Sequence, residues 1–157
     1  MKLSSSENRN FCNCIADFLA SEYVQEMKQY MQHGNTTTYN HSMMVSYYSY
    51  WICLHLRMEH DIRSVARGAL LHDFFLYDWH HSDDNILLHG LYHSGVALAN
   101  AKKYFKLNPI EEDIIEKHMW PLTVTKIPKY RASFVVCLVD KLCSLSEVMH
   151  FKFLKSN

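Results

Sequence analysis

Apolar residues recur at spacings of three and four along almost the whole chain, and little interrupts them: 157 residues hold only four glycines and three prolines. So little punctuation allows long helices and leaves few of the tight turns that a hairpin-rich fold needs. Alternation with a period of two is absent over any useful length. The expected fold is all-α: one bundle of about six to eight helices spanning residues 1–157, without repeats or low-complexity tracts.

The spacing predicts a first helix over about 7–33, with Phe11, Ile15, Phe18, Leu19 and Met27 on its apolar side and Gly34 as its stop. Residues 35–40 are polar and loop-like. A second helix starts near His41, which heads the face carrying Val45, Tyr48, Ile52 and Leu56. Asp61 can cap a third, with Ile62, Val65, Ala66 and Ala69 as core positions. His72 and Asp73 follow Ala69 by three and four residues and so fall on its buried side. The stretch 74–90 reads as a loop or broken helix, followed by a helix over about 93–105. Asn108-Pro109 with Glu111 marks the next helix start, and the last helix runs over about 131–149. A bundle core at about 36–148 is the expected working part of the chain.

Sixteen basic and sixteen acidic side chains cancel. That balance argues against an extended nucleic-acid surface, which needs a basic excess. No apolar run reaches the roughly 18–20 residues needed to cross a bilayer, and residues 1–10 lack the apolar segment of a signal peptide. The expectation is a soluble, cytoplasmic protein. The five cysteines are odd in number and show no CxxC pair. Cys53, Cys137 and Cys143 lie in apolar runs and read as reduced core thiols, while Cys12-Asn13-Cys14 is a weak metal signal.

Eleven histidines are many for this length, and histidine is the commonest metal ligand. His72-Asp73, at the inner end of a helix, can offer nitrogen and oxygen to one ion. That donor set suits iron, manganese, zinc, nickel or cobalt. Asp140 interrupts the apolar run Phe134–Val139. A buried carboxylate demands a cation, either a metal or a partner such as Lys141. The second His-Asp pair, His60-Asp61, sits in a polar connection and reads as a helix start. His41, His72, Asp73, His93, His118 and Asp140 each fall near a helix end or inner face. Together they can supply two ions with mixed ligands.

In the order His41, then His72-Asp73 after Ala69-Leu70-Leu71, then Asp140 in Leu138-Val139-Asp140-Lys141, the chain resembles the HD-domain superfamily over about 36–148. Leu87-Leu88-His89-Gly90-Leu91-Tyr92-His93-Ser94 and Lys117-His118-Met119-Trp120-Pro121 resemble its extra-histidine, two-metal subgroup. That subgroup includes HD-GYP cyclic-dinucleotide phosphodiesterases and hydrolases of bis-nucleoside tetraphosphates. The resemblance implies His41, His72, Asp73 and Asp140 as the basic metal ligands. Asp73 would bridge two ions, and His93 and His118 would complete the second. His89 is a rival to His93, or a catalytic proton donor beside Asp73. The implied cofactor is two divalent ions, iron or manganese, with zinc, nickel, cobalt or magnesium as alternatives. Two departures stand out. Leu76 occupies the position where many two-metal members carry lysine, and Met119-Trp120-Pro121 replaces the Gly-Tyr-Pro of cyclic-di-GMP enzymes.

The activity implied is hydrolysis of a phosphate ester or anhydride by a metal-activated water, with a phosphorylated small molecule, a nucleotide among the candidates, as substrate. Lys117, Lys126 and Arg131 flank the His118 loop and are candidate phosphate contacts, against a reading as ordinary solvated charge. Phe74, Phe75, Tyr77, Trp79, Tyr92 and Trp120 could stack on a base or simply pack. The alternatives are a non-catalytic sensor that binds a metal or nucleotide, and a structural metal site in a helical interaction module.

Overall fold

The computed structural model describes residues 2–33, 36–58, 61–78 and 86–149, without the side chains of residues 33, 86–89 and 91. Seven α-helices and one 3-10 turn make up most of it, in keeping with the all-α expectation. In chain order they are α1 (Ser5–Leu19), α2 (Glu22–Glu26), the 3-10 turn Met27–Gln29, α3 (Thr38–His55), α4 (Ile62–Leu70), α5 (Ile86–Tyr104), α6 (Pro109–Lys117) and α7 (Arg131–Val148). A small antiparallel hairpin, β1 (Met31–His33) and β2 (Thr36–Thr37), precedes α3.

The single helix expected over 7–33 is instead broken after Leu19. Ser4 and Glu7 form a reciprocal cap at its start, and α1 buries Phe11, Ile15 and Phe18. Nine further residues at about 100° each would carry Met27 to the side opposite Phe18. Extended backbone at Ser21 (φ −79°, ψ 130°) re-aims the chain, so that Val24 and Met27 are buried in the same cluster as Phe18. Of the loop expected at 35–40, residues 36–40 instead form β2 and the start of α3, where the Thr37 side chain accepts from the Asn40 amide.

Helix α3 packs on α4 and α7, and α4 packs on α6 and α1. Ser42, Ser46 and Ser49 are buried along α3, and Ser46 Oγ donates to the Ala66 carbonyl at 2.7 Å. Leu56, expected in the core, is 56% exposed because the helix ends at His55. Asp61 occupies the cap position of α4 but makes no side-chain cap bond, its backbone being already helical (φ −104°, ψ −5°). Gly68 on α4 faces Ile114 on α6; a Cβ there would stand 2.9 Å from Ile114 Cδ1. Arg67 joins three helices: it bonds Glu111 at 2.7 Å and Asp17 at 2.5 Å, and its guanidinium covers the Phe18 ring at 3.7 Å. Helix α5 starts earlier than its expected 93. Helix α6 has the expected cap, with Asn108 accepting from Ile110 and Glu111 and Glu111 answering the Asn108 amide. No helix among the described residues is long and apolar enough to cross a membrane.

Candidate metal centre

Four helices and the turn after α4 meet at one buried point. Helix α3 brings His41 and α5 brings His93; α6 ends at His118, α7 carries Asp140, and the turn after α4 holds His72 and Asp73. All six side chains are buried: His41 and His72 are 0% exposed, His118 1%, Asp73 2%, His93 5% and Asp140 6%.

Three imidazoles are fixed through Nδ1. His72 Nδ1 lies 2.7 Å from the Ala69 carbonyl and His118 Nδ1 lies 2.9 Å from that of Ile115. His41 Nδ1 stands 3.1 Å from both oxygens of Glu147. An Nδ1–H donated to an oxygen leaves Nε2 as the inward-facing atom, the arrangement of a metal-binding histidine with its outer partner. The Nε2 atoms converge on two carboxylates. His41 Nε2 is 3.2 Å from Asp140 Oδ1, and His72 Nε2 is 3.2 Å from Asp73 Oδ2 and 3.6 Å from Asp140 Oδ1. On the other side, Asp73 Oδ1 lies 3.2 Å from His93 Nε2 and 3.4 Å from His118 Nε2. The two imidazole nitrogens are themselves 2.9 Å apart.

The residues fit a metal. His72 Nε2 and Asp73 Oδ1 are buried without an aligned hydrogen bond, which is costly unless something else satisfies them. Donors about 2.1 Å from a common ion stand roughly 3.0–3.4 Å from one another, close to the separations seen. Two groups, His41/His72/Asp140 and His72/Asp73/His118, each have donor atoms near enough to hold one ion.

Charge follows the same pattern. Burial pulls the His41 and His72 pKa values down, but Asp140 with Glu147, and Asp73 with Asp140, outweigh it and hold them at about 9 and about 10. Burial raises Asp73 and Asp140, yet His72 with its neighbouring histidines, and His41 with His72, hold both well below the usual carboxylate range. His118 is different: burial dominates and lowers it to about 4, so it stays neutral. The buried carboxylates demand positive charge, and here imidazolium supplies it.

Other expected positions are scattered. His89 lies on α5, but its side chain is outside the described residues, as are Trp79 and His60. Lys117 Nζ pairs with Asp113 at 2.6 Å, Lys126 with Glu116 at 3.8 Å, and Arg131 is exposed at the start of α7. Of the partners considered for Asp140, Lys141 is near, with Nζ 3.4 Å from Oδ2 and donating to the His118 carbonyl at 2.8 Å, while His41 and His72 face Oδ1. Phe74 is core, against Tyr104 and Phe105; Phe75 is buried beside His93, with Tyr77 against it; Tyr92 is 67% exposed. Trp120 packs edge-on against Phe134. Cys53, Cys137 and Cys143 are buried free thiols.

Two neighbours of the site escaped the sequence reading. Gln32 Nε2 donates to Asp73 Oδ2 at 2.6 Å; nothing in a Met-Gln-His triplet signals this. Glu147 had a readable cue, since it follows Asp140 by seven residues and shares its helix face.

A family model for the HD domain matches residues 38–145, from just before His41 to beyond Asp140. No curated protein and no solved structure matches the chain. With more than half its length inside that match and His72-Asp73 at the centre of a cluster fitted for metal, the chain belongs to the HD domain family, a family of metal-dependent phosphohydrolases.

Proposed function

We propose that this chain hydrolyses a phosphate ester or anhydride at a two-ion site, with a nucleotide-type substrate and iron or manganese as the working metals. The observation that carries the reading is the Asp73 carboxylate: one oxygen faces His72 and the other faces His93 and His118. His41, His72 and Asp140 would hold one ion, His93 and His118 the other, and Asp73, within 3.2–3.4 Å of His72, His93 and His118, would serve both. When bound, the ions would supply a water of lowered pKa and positive charge against phosphoryl oxygens. The chain's own part is to hold those donors rigidly. Carbonyls at Ala69 and Ile115 set the tautomers of His72 and His118, and Lys141 ties the end of α6 to Asp140. His118, kept neutral by burial, keeps a lone pair on Nε2. Tyr92, exposed next to His93 in sequence, is a candidate surface for a base to stack on. Lys117, Lys126 and Arg131 remain candidate phosphate contacts. The first two would have to exchange Asp113 and Glu116 for substrate, and His89 is the candidate proton donor to the leaving oxygen.

The test is metal content of freshly purified anaerobic protein, followed by a screen of mononucleotides and dinucleoside polyphosphates with iron and manganese. About two ions per chain and turnover of a phosphorylated substrate are expected. Tight nucleotide binding without turnover under every metal would replace the enzyme by a sensor.

A further inference from the structure

The family match begins at residue 38, yet one polar side chain from before it is inserted into the buried cluster. Gln32 stands on β1, is 7% exposed, and donates from Nε2 to Asp73 Oδ2 at 2.6 Å across 41 residues of sequence. Thr38 Oγ1, 1% exposed, lies between two acceptors, the Tyr30 carbonyl at 3.2 Å and Gln32 Oε1 at 3.4 Å. A carboxylate only accepts, so the N–H end of the amide must face Asp73, which fixes its orientation. The backbone beneath is pinned as well. Met31 pairs with Thr37, and the Thr38 amide donates to the Tyr30 carbonyl at 2.8 Å.

We propose that Gln32 is a positioning residue of the metal centre. From the hairpin, it fixes the Asp73 carboxylate so that one oxygen is turned to each group of imidazoles. It thereby couples metal occupancy to the β1–β2 hairpin. A carboxylate oxygen has more than one acceptor direction. An amide N–H can occupy one and leave another for an ion. A neutral donor also keeps the full negative charge of Asp73 for the cation, whereas a lysine at this place would compete with it. The inference rests on the metal-centre reading above and adds a contributor from outside the matched domain.

The experiment uses the whole chain, stripped of metal and titrated with Mn²⁺ by calorimetry and with Co²⁺ by visible absorption. Amide hydrogen exchange is followed at β1 and β2. Gln32→Met keeps length and removes the N–H. It is expected to raise the Mn²⁺ dissociation constant about 10–100-fold, to alter the Co²⁺ spectrum, and to abolish metal-dependent protection of the hairpin. Gln29→Met, exposed on the preceding turn, should change none of these. Thr38→Val serves if Gln32→Met does not fold. It takes the hydroxyl from both Gln32 Oε1 and the Tyr30 carbonyl while leaving the amide on Asp73, and a smaller weakening in the same direction is expected. A variant that binds Mn²⁺ as the wild type does, with the wild-type Co²⁺ spectrum, overturns the role of Gln32 and leaves the metal centre standing. Wild-type protein that binds neither ion overturns both.

Discussion

His41 and Glu147 are 106 residues apart in sequence, and the ring Nδ1 of the first lies 3.1 Å from both carboxylate oxygens of the second. Glu147 is in the last turn of α7, so that helix serves the site twice: Asp140 faces His41 Nε2 and Glu147 faces Nδ1. An outer carboxylate of this kind fixes the ring and makes its far nitrogen a better donor. Glu147→Ala should weaken Mn²⁺ binding about 10–100-fold. Glu147→Gln, which can still accept from Nδ1–H, should recover part of the loss. Calorimetric titration of the three proteins checks this, and equal affinities would remove Glu147 from the site.

Asp73 meets Gln32 and His72 through one oxygen and His93 and His118 through the other, so its loss is expected to be the most damaging. Asp73→Ala should abolish metal content and phosphohydrolase activity together. In the metal-free protein it should also cost about 3–5 kcal/mol, since buried imidazolium charge on His72 loses its partner. Elemental analysis and denaturant unfolding read the two effects separately. Full metal content and activity in this variant would sink the assignment.

The close approach of α4 and α6 depends on a hydrogen at residue 68. A methyl there would stand 2.9 Å from Ile114 Cδ1 and 3.0 Å from Ile114 Cβ, and the second atom cannot swing away. Gly68→Ala should therefore destabilise the fold by about 1–3 kcal/mol, although alanine favours helix. A lower midpoint in urea with an unchanged slope is the expected result.

Asp113 gives a pH signature away from the metal cluster. Its carboxylate is 5% exposed; it accepts from the Lys129 amide at 2.9 Å and Ser133 Oγ at 2.7 Å and pairs with Lys117 at 2.6 Å. Burial alone would raise its pKa, but Lys117, Ser133 and the Lys129 amide outweigh burial and lower it. A carboxylate depressed in the folded state contributes stability above its unfolded value, near 3.9. That contribution disappears as pH falls through the folded value. Asp113→Asn should cost about 3 kcal/mol at pH 7. Its deficit against wild type should shrink steadily below about pH 4. A deficit independent of pH would show that Asp113 is held by shape rather than charge.

Helices whose ends are written locally were legible. Asn108, Pro109 and Glu111 announce α6 because the cap is made among those residues, and His72-Asp73 announces itself by following an apolar stretch. Features decided by tertiary contact were not. Nothing near Leu19 says that the chain must turn; the reason is that Val24 and Met27 have to reach the core already occupied by Phe18. Glu111 reads as a capping residue and is one, but its other oxygen is buried against Arg67 from a different helix. Gln32 contributes to the site only because a hairpin folds back over it.

The division of Asp73 between two sets of imidazoles makes a prediction about stoichiometry. His118 approaches only Oδ1 of that carboxylate, and its tautomer is set by the Ile115 carbonyl rather than by any residue of the other set. His41 and His72 each reach Asp140 Oδ1, at 3.2 and 3.6 Å, through contacts that do not pass through His118, whose ring only stands edge-on to His72. His118→Ala should therefore reduce about two ions per chain to about one, and the ion retained should be the one held by His41, His72 and Asp140. A matching His41→Ala protein should lose the other ion, so the two variants should differ in the spectrum of the Co²⁺ they keep. If His118→Ala retains the wild-type metal content, His118 holds no ion, and the two-ion reading of the Oδ1 side fails. If it loses all metal, the two sets act as one site, with Asp73 unable to bind either ion alone.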